Sequence, residues 1–198
     1  MASVKRVADL LRFYGQVPVY ASHLSTVPSV THYVKQEDKV ACGSVLFDVI
    51  EIPGHTLDHI AYYGQDSLFC GDTLFSAGCG KVFEGTYSQM YHSLQKIFHL
   101  PSQTKIYCGH EYTEANLVFA KQVEPSNVLI TEKQESVKKM LALSGCSLPS
   151  TIYEEKKMNP FFRCDQIEVI QAVEHHAGKK IDQPADVFHY LREWKNKF

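Results

Sequence analysis

Residues 45–73 read VLFDVIEIPGHTLDHIAYYGQDSLFCGDT, and this stretch sets the type of fold. Three short runs rich in β-branched and aromatic residues predict strands over 45–52, 60–63 and 68–70. A Pro-Gly pair ends the first run, and a Gly-Gln-Asp turn separates the other two. The stretch therefore predicts part of a β-sheet.

Helices and strands alternate on both sides of this stretch. The spacing of apolar residues predicts helices over 1–14 and 88–100 and a strand over 105–108. Strands that alternate with helices are typical of layered αβ architectures. We expect such a domain over residues 1–112 and a helical domain over 113–198, because no convincing strand is predicted beyond that point.

The last third of the chain carries signals for helix starts and stops. Capping-box patterns predict helix starts at Thr131 and Asp165. Glycine stops follow at Gly145 and Gly178, and Pro184 suits the first turn of a last helix. This part of the sequence therefore predicts a series of helices with short connections.

The composition is that of a globular protein without a strong charge bias. Of 198 residues, 44% are hydrophobic and 21% are charged, and the formal net charge is −2. This balance argues against a general nucleic-acid binder, and no apolar run approaches the ~18 residues that cross a bilayer. The first residues lack a signal-peptide pattern, so we expect a cytoplasmic protein that binds neither nucleic acid nor membrane. Its six scattered cysteines predict reduced thiols.

Three segments place a metal-binding side chain beside a glycine at the end of a strand or turn. They are PGHT at 53–56, CGDT at 70–73 and CGHE at 108–111. Histidine next to a small residue can approach zinc or iron closely, and a carboxylate between two such histidines can bridge two cations. Each segment alone is also typical of an ordinary turn, but three in alternating strand–loop units indicate a metal site.

Three longer strings resemble one enzyme family. IPGHTLDHIAYY at 52–63, LFCGDTLFSAGCGKVFEGT at 68–86 and IYCGHEYTEANLVFA at 106–120 are similar, in this order, to glyoxalase II, the hydroxyacylglutathione hydrolase family of the metallo-β-lactamase superfamily. The resemblance extends over the whole chain, including the final Arg192-x-x-Lys195-x-x-Phe198. It implies an α+β fold, the αββα sandwich of the superfamily, followed by a C-terminal helical domain that binds glutathione.

The resemblance also implies a reaction and its metal ligands. The family hydrolyses S-D-lactoylglutathione to D-lactate and glutathione, a step of methylglyoxal detoxification, with two metal ions bridged by a hydroxide and a carboxylate. The ions are usually zinc (Zn), with iron (Fe) or manganese (Mn) as alternatives, and the complete protein is expected to be a monomer. By motif, His55 resembles the ligand of the first metal, Asp72 the bridging carboxylate and His110 the ligand of the second. These residues are the expected catalytic centre, acting through bound metal.

Glutathione carries two carboxylates, which call for cationic and amide donors on a protein of slightly negative net charge. The resemblance implies that Arg192 and Lys195 supply two of the cations, and their spacing of three places them on one face of the predicted last helix. Phe83 stands where some family members have a tyrosine, so one hydrogen bond to glutathione is expected to be absent. The implied substrate-binding residues are Lys81, Val82, Phe83, His110, Glu111, Tyr112, Arg192 and Lys195.

The string HTLDH at 55–59 contains a second histidine, His59. In the family this position lies near the site without binding metal, so we expect His59 to support the ligands. Asp58 stands where the family usually has a glycine, and we expect it at the surface or in a hydrogen bond. The remaining histidines lack ligand-like surroundings.

One part of the family pattern is absent: the sequence has no HxHxDH, which in the family lies in a THxHxDH segment with further ligands. The first residues match the helix that follows that segment, so we expect an N-terminal segment encoded upstream of Met1. Without it, each ion has two protein ligands rather than the three or four typical of zinc sites. We therefore expect weak metal binding and little or no hydrolysis from this chain alone.

Two other interpretations stay open at this point. One is a non-catalytic remnant of the family that binds glutathione-like anions or a protein partner. The other is a persulfide-oxidising relative with a single iron, although such proteins share the fold without this helical tail and its Arg192/Lys195 pair. The retained ligand and glutathione positions favour the hydrolase over both.

Overall fold

The computed structural model describes the backbone of residues 2–198 and the side chains from Val7 onward. Its strands, in chain order, are β1 (Tyr20–Ser22), β2 (His32–Val34), β3 (Lys39–Cys42), β4 (Val45–Glu51), β5 (Ile60–Gly64), β6 (Ser67–Gly71), β7 (Leu74–Phe75), β8 (Gly78–Cys79), β9 (Lys105–Cys108) and β10 (Ser150–Thr151). Six of them form a mixed sheet in the order β10–β9–β6–β5–β4–β3. The pairs β1–β2 and β7–β8 stand apart from it.

Helices make up most of the remaining structure. They are α1 (Ala2–Tyr14), α2 (Tyr87–Phe98), α3 (Thr113–Val123), α4 (Val128–Ser144), α5 (Ile152–Met158), α6 (Ile167–Ala177) and α7 (Pro184–Lys197), with a 3-10 turn at Pro160–Phe162. A capping box starts α2, in which Thr86 and Gln89 exchange hydrogen bonds between side chain and backbone. Within the described residues, none of these helices combines the length and apolar character that a membrane crossing needs.

Strand direction explains where side chains can meet. β5 is antiparallel to both β4 and β6, so β4 and β6 run in the same direction. β9 is parallel to β6. The carboxyl ends of β4, β6 and β9 therefore open at one edge of the sheet, and the segments that follow them contain the three predicted metal ligands.

One face of the six-stranded sheet is covered by helices from both halves of the sequence. Ile52, Leu68 and Ile106 share one buried cluster with Met90 of α2 and Phe188 of α7. Burial of such large apolar side chains is the main favourable contribution to folding. The cluster is continuous across the predicted boundary between the two domains, so the helical part packs directly on the sheet. The boundary itself stays a prediction.

The opposite face of the sheet has a much smaller core. Val40 and Val49 pack there with Val34 of β2. On this same face, Phe69 is 44% exposed. Among the described residues, the sheet is therefore thickly covered on one face only.

Most predicted elements are confirmed. The four predicted strands are present as β4, β5, β6 and β9, and the two predicted early helices as α1 and α2. Gly145 and Gly178 end α4 and α6 with left-handed φ values of 70° and 69°, a conformation that glycine adopts without strain. Pro184 opens α7 as predicted.

Three details of the helical part differ from prediction. α4 begins before Thr131, because the Asn127 side chain caps it by accepting the Leu129 N–H at 3.2 Å. α6 begins at Ile167, two residues after Asp165, and has no side-chain cap. A strand was not expected in this part, but β10 pairs antiparallel with β9 as the outermost strand of the sheet.

Candidate active site

Three strand ends bring His55, Asp72 and His110 together at one edge of the sheet. His55 follows β4, Asp72 follows β6 directly and His110 follows β9. Nε2 of His55 lies 3.6 Å from Asp72 Oδ2, and Nε2 of His110 lies 3.5 Å from Asp72 Oδ1. The carboxylate therefore lies between the two imidazoles, with one oxygen toward each ring. Because the sequence predicts these three residues as metal ligands, we call them the metal-ligand group.

The ring of His55 is oriented by the backbone of a neighbouring loop. Its Nδ1 lies 2.8 Å from the carbonyl oxygen of Lys81. Because a carbonyl oxygen can only accept, the neutral ring carries its proton on Nδ1, and the lone pair of Nε2 points toward Asp72. A histidine held in this way is prepared to bind a metal ion through Nε2.

One carboxylate oxygen of Asp72 has no hydrogen-bond donor among the described residues. This atom, Oδ1, is buried. A buried carboxylate oxygen is unfavourable unless a donor or a cation occupies that position. The neighbouring backbone can approach Asp72 this closely only because it carries glycines. A Cβ at Gly109 would lie 2.4 Å from Asp72 Oδ1, and one at Gly80 would lie 1.9 Å from the Asp72 carbonyl oxygen.

His59 holds the backbone of Asp72. Its Nε2 accepts a hydrogen bond from the Asp72 N–H at 3.1 Å. Its Nδ1 lies 3.3 Å from the Thr56 hydroxyl, which donates to Asp58 at 2.7 Å. Burial, together with the nearby ring of His55, lowers the pKa of His59, so the neutral ring needed for this acceptor role is favoured. The contact agrees with a residue that supports the ligands.

The metal-ligand donors form two pairs rather than one cluster. Among the described side chains, from Val7 onward, no three His, Cys, Asp or Glu residues surround a single point that could hold an ion. Each pair nevertheless suits one ion, because two ligands with bonds of about 2.0–2.1 Å to tetrahedral zinc lie roughly 3.3–3.5 Å apart. The measured separations are 3.6 Å for His55 with Asp72 and 3.5 Å for His110 with Asp72. The residues present thus fit two ions with two protein donors each.

An open cavity of about 500 Å³ connects the metal-ligand group with α7. His55, Asp72 and His110 line it together with residues from the helical part of the chain. A cavity of this size accepts a small-molecule ligand. Six of the predicted substrate-binding residues line it: Lys81, Phe83, His110, Tyr112, Arg192 and Lys195.

Two predicted substrate-binding side chains do not line the cavity. Val82 packs against the main core. The Glu111 carboxylate accepts hydrogen bonds from the backbone and hydroxyl of Ser147 at 2.6 and 2.8 Å, and from the Thr113 hydroxyl at 2.5 Å. Burial alone would raise the pKa of Glu111, but these bonds lower it. Glu111 thus fixes the turn after β9, and neither of these two side chains lines the cavity.

Arg192 and Lys195 are enclosed cations, which we call the cationic group. Arg192 is 2% exposed and donates from Nη1 to the Cys79 carbonyl at 2.7 Å. The partly buried Lys195 donates to Asn116 Oδ1. Among the residues that the structure describes, neither forms an ion pair with a carboxylate. Two enclosed basic side chains without a counter-ion have the chemistry to attract an anion.

Aromatic rings border the cavity near the metal-ligand group. The ring of Tyr112 stacks on His110, with centroids 5.0 Å apart and planes 15° apart. The ring of Phe83 is 70% exposed and lies 5.1 Å from the His55 ring. These rings give the cavity an apolar border beside its polar centre.

Sequence reasoning missed Asn116, which lines the cavity on α3. Its side chain is 4% exposed, and its Nδ2 donates to the Ser76 carbonyl at 2.9 Å. A signal was available, because Asn116 shares the inward face of α3 with Phe119, Ala120 and Val123, which are buried. A polar residue on an apolar face needs a partner, and here the partners are β8 and Lys195.

Comparison with known sequences points to one family. A family model described as hydroxyacylglutathione hydrolase C-terminus matches residues 111–198. A hydroxyacylglutathione hydrolase from Nitrosomonas eutropha is 45% identical over 184 residues, which cover 92% of this chain and 72% of that protein. The similarity therefore extends from the helical part through the sheet.

Comparison with solved structures gives the fold. ETHE1 from Myxococcus xanthus matches with a TM-score of 0.61 and 27% identity, over 94% of this chain and 62% of that one. A metallo-β-lactamase from Staphylococcus aureus matches with a TM-score of 0.57 and 21% identity, over 94% of this chain and 52% of that one. The predicted fold class is confirmed: this is a metallo-β-lactamase fold with a helical C-terminal region.

Proposed function

Because this chain belongs to the hydroxyacylglutathione hydrolase family, we propose that it hydrolyses glutathione thioesters in the cavity between the sheet edge and α7. The proposed substrate is S-D-lactoylglutathione, and the products are D-lactate and glutathione. The observation that carries the proposal is that one cavity is lined both by the metal-ligand group and by the cationic group. A thioester of a carrier with two carboxylates needs both of these features within reach of one molecule.

The proposed cofactor is a pair of metal ions, zinc first, with iron or manganese as alternatives. His55 and Asp72 would hold one ion, and Asp72 and His110 the other. When bound, such a pair supplies an activated water at neutral pH and a Lewis acid for the carbonyl. The protein supplies orientation: the Lys81 carbonyl fixes the His55 ring, and His59 fixes the backbone of Asp72.

Recognition of glutathione is proposed for residues that lie away from the reacting carbon. Arg192 and Lys195 bind one carboxylate, and the exposed Lys81 binds the other. Tyr112 and Phe83 border the thioester with their rings. In this assignment residues 1–112 present the metal ligands together with Lys81, Phe83 and Tyr112, and residues 113–198 add Arg192 and Lys195. Binding at these remote contacts would orient the carbonyl toward the metal-ligand group.

The test is metal-dependent hydrolysis by the purified chain. We expect glutathione release from S-D-lactoylglutathione when Zn²⁺, Fe²⁺ or Mn²⁺ is present in excess. Gel filtration should remove the metal and with it the activity, because each ion has only two donors from the described residues. An S-lactoyl thioester of cysteamine, which has no carboxylate, serves as the matched substrate. Equal turnover of the two thioesters would contradict the role of the cationic group.

The small number of metal donors favours a second candidate, a non-catalytic protein that binds glutathione derivatives. Only three residues are available to hold two metal ions, whereas the two basic residues proposed to bind glutathione, Arg192 and Lys195, are both held in position by hydrogen bonds. This candidate predicts that S-methylglutathione binds while no thioester is turned over with any of the three metals. Measured turnover that depends on added metal would exclude it.

A further inference from the structure

Lys195 lies in surroundings that disfavour its charge. Its ammonium is enclosed by α3, β8 and the 3-10 turn, at 5.4 Å from the Phe119 ring centroid and 5.7 Å from that of Phe161. A Cβ placed on Gly78 would lie 2.8 Å from its Nζ. Its one hydrogen-bond acceptor among the described residues is the neutral Asn116 carboxamide.

The titratable groups around Lys195 provide no negative charge on its own side of the cavity. Arg192, one turn earlier on α7, is a second cation. Burial raises the pKa of the Cys79 thiol on β8, so this neighbour stays neutral at physiological pH. Across the cavity, the titratable lining groups are the metal-ligand group, Lys81 and Tyr112. Asp72 is the carboxylate among them, and it lies between His55 and His110.

The orientation of the Asn116 carboxamide is fixed by a second hydrogen bond. Its Nδ2 donates to the Ser76 carbonyl at 2.9 Å, which leaves Oδ1 toward Lys195. A neutral acceptor positions the Lys195 amine without neutralising a charge on it. An aspartate in the same place would provide an internal counter-ion and occupy the role that an anionic ligand otherwise takes.

We propose that Lys195 takes up a proton from solvent when a carboxylate of the glutathione portion enters the cavity and releases it when that carboxylate leaves, with Asn116 as the residue that positions it. This inference rests on the proposed function, because it needs a glutathione derivative in the cavity.

The direction of the coupling follows from electrostatics. Burial and the nearby Arg192 guanidinium lower the pKa of Lys195 to about 7 in the empty cavity. An opposite charge within hydrogen-bond distance favours the ammonium and raises this pKa again. Binding above neutral pH therefore consumes a proton, and affinity should fall by up to about tenfold per pH unit as the pH rises above 7.

Calorimetric titration of the full chain with S-methylglutathione measures this proton directly, in two buffers that differ in ionisation enthalpy. We expect an uptake of about 0.9 proton per ligand at pH 8 and about 0.1 at pH 6, as a group with a pKa near 7 requires. Lys195→Arg keeps a positive charge that does not titrate in this range, so the uptake at pH 8 should vanish. Lys197→Arg, at the exposed end of the same helix, is the matched control and should keep the uptake.

Asn116→Asp separates proton coupling from simple packing, because it is nearly isosteric. Its carboxylate should keep Lys195 charged before ligand arrives, so the uptake at pH 8 is lost and binding weakens at least tenfold. Asn116→Leu removes the acceptor and should weaken binding while the uptake persists. Equal behaviour of the two variants would overturn the positioning role of Asn116.

The outcomes for Lys195 are distinguishable from those for the proposed function. Binding with an uptake near zero at pH 8, or an unchanged uptake in Lys195→Arg, would overturn the coupling and leave the proposed function standing. Absence of any S-methylglutathione binding would overturn both. The lysine Nζ signals of the unliganded chain give a second measurement: the signal that Lys195→Arg removes should titrate near neutral pH, and titration near pH 10 would overturn the coupling without reference to any ligand.

Discussion

The two groups that line the cavity are built in different ways. The metal-ligand group is assembled from three segments at strand ends, and the Asp72 Oδ1 atom at its centre has no partner among the described residues. The cationic group lies on a single helix, and both cations already donate to fixed acceptors, the Cys79 carbonyl and the Asn116 carboxamide. The positions of the two cationic side chains are therefore set by contacts within the fold, whereas the metal-ligand group is proposed to be completed by bound ions.

This difference separates binding from chemistry. Changes in the metal-ligand group should alter metal content and turnover while glutathione derivatives still bind. Changes in the cationic group should alter affinity while metal content stays the same. Each variant below tests one side of this separation, and each is accompanied by a measurement that belongs to the other side.

Asp72→Asn should have the largest effect. Loss of a residue that merely supports a metal ligand typically lowers metal affinity or activity about 10–100-fold, and Asp72 is the proposed ligand of both ions. We therefore expect a loss above about a hundredfold in metal affinity and in metal-dependent hydrolysis. Binding of S-methylglutathione should change by less than about threefold, because the cationic group is untouched. Metal analysis, hydrolysis and calorimetry on one preparation measure all three.

Asp66→Asn is the matched control for this variant, because Asp66 lies in the exposed turn between β5 and β6. It should retain the metal content and turnover of the parent. Full metal loading in Asp72→Asn would show that other residues hold the ions. A parallel loss of S-methylglutathione binding would show that the two groups are not independent.

Arg192→Ala should produce the next largest effect, on the other side of the cavity. Each charge-assisted hydrogen bond contributes roughly 1.5–3 kcal/mol, so about a ten- to hundredfold rise in KM is expected with kcat changed by less than threefold. Metal content should not change. Because Arg192 is buried, the midpoint of urea unfolding is measured in parallel to confirm that the fold is retained. A collapse of kcat at constant KM would place Arg192 in the chemical step instead.

The same comparison shows what the sequence could predict. The three ligand candidates were visible because each follows a strand and has a glycine beside it, and the parallel direction of β4, β6 and β9 brings them to one edge. Their pairing through the two oxygens of Asp72 depends on three-dimensional distances that no spacing records. The glycine requirement at Gly109 is a packing fact of the same kind.

The cationic group was harder to describe in advance. The spacing of Arg192 and Lys195 predicted a shared face, but an exposed basic helix end has the same spacing. Burial of Arg192 depends on β8. Its hydrogen-bond partner on that strand, Cys79, lies 113 residues earlier in the sequence. Asn116 and the helix start at Asn127 were missed for a related reason, since short polar side chains take their roles from partners elsewhere in the fold.

His59→Leu should have a smaller effect, confined to the metal side. Leucine cannot accept the Asp72 N–H, so this backbone group is left without its partner and the carboxylate is held less firmly. We expect about a tenfold loss in metal affinity, measured by competition with a chromophoric chelator. Asp58→Asn keeps an acceptor for the Thr56 hydroxyl and should stay within threefold of the parent. A complete loss of metal in His59→Leu would indicate that His59 is itself a ligand.

Lys195→Met should have the smallest effect, and it concerns stability. A lysine in the unfolded chain has a pKa near ~10.4, whereas burial and Arg192 lower the pKa of folded Lys195 to about 7. Between these values the unfolded state binds more protons, so this residue makes the folded chain more stable as the pH rises from 7 toward 10. Below pH 7 the folded ammonium carries its full desolvation cost, which methionine lacks.

The Lys195→Met variant should therefore be more stable than the parent at pH 6. The gap, which is the difference in free energy of unfolding between variant and parent, should narrow as the pH rises to 9. One titrating group changes the free energy of unfolding by at most about 1.4 kcal/mol per pH unit, and the partial exposure of Lys195 reduces this, so a narrowing of about 1 kcal/mol is expected. Urea unfolding at pH 6, 7 and 9 in the presence of chelator measures it, with Lys197→Met as the exposed control. A gap that is constant with pH would mean that Lys195 is charged in the empty cavity throughout, and the cationic group would then be fully charged before any ligand arrives. A narrowing gap, beside a metal-ligand group that the same variant leaves intact, would show that Lys195 loses its charge in the empty cavity above neutral pH and must regain it when glutathione binds. The destabilisation that Lys195 causes would then be greatest below pH 7 and would decline as the pH rises toward 10.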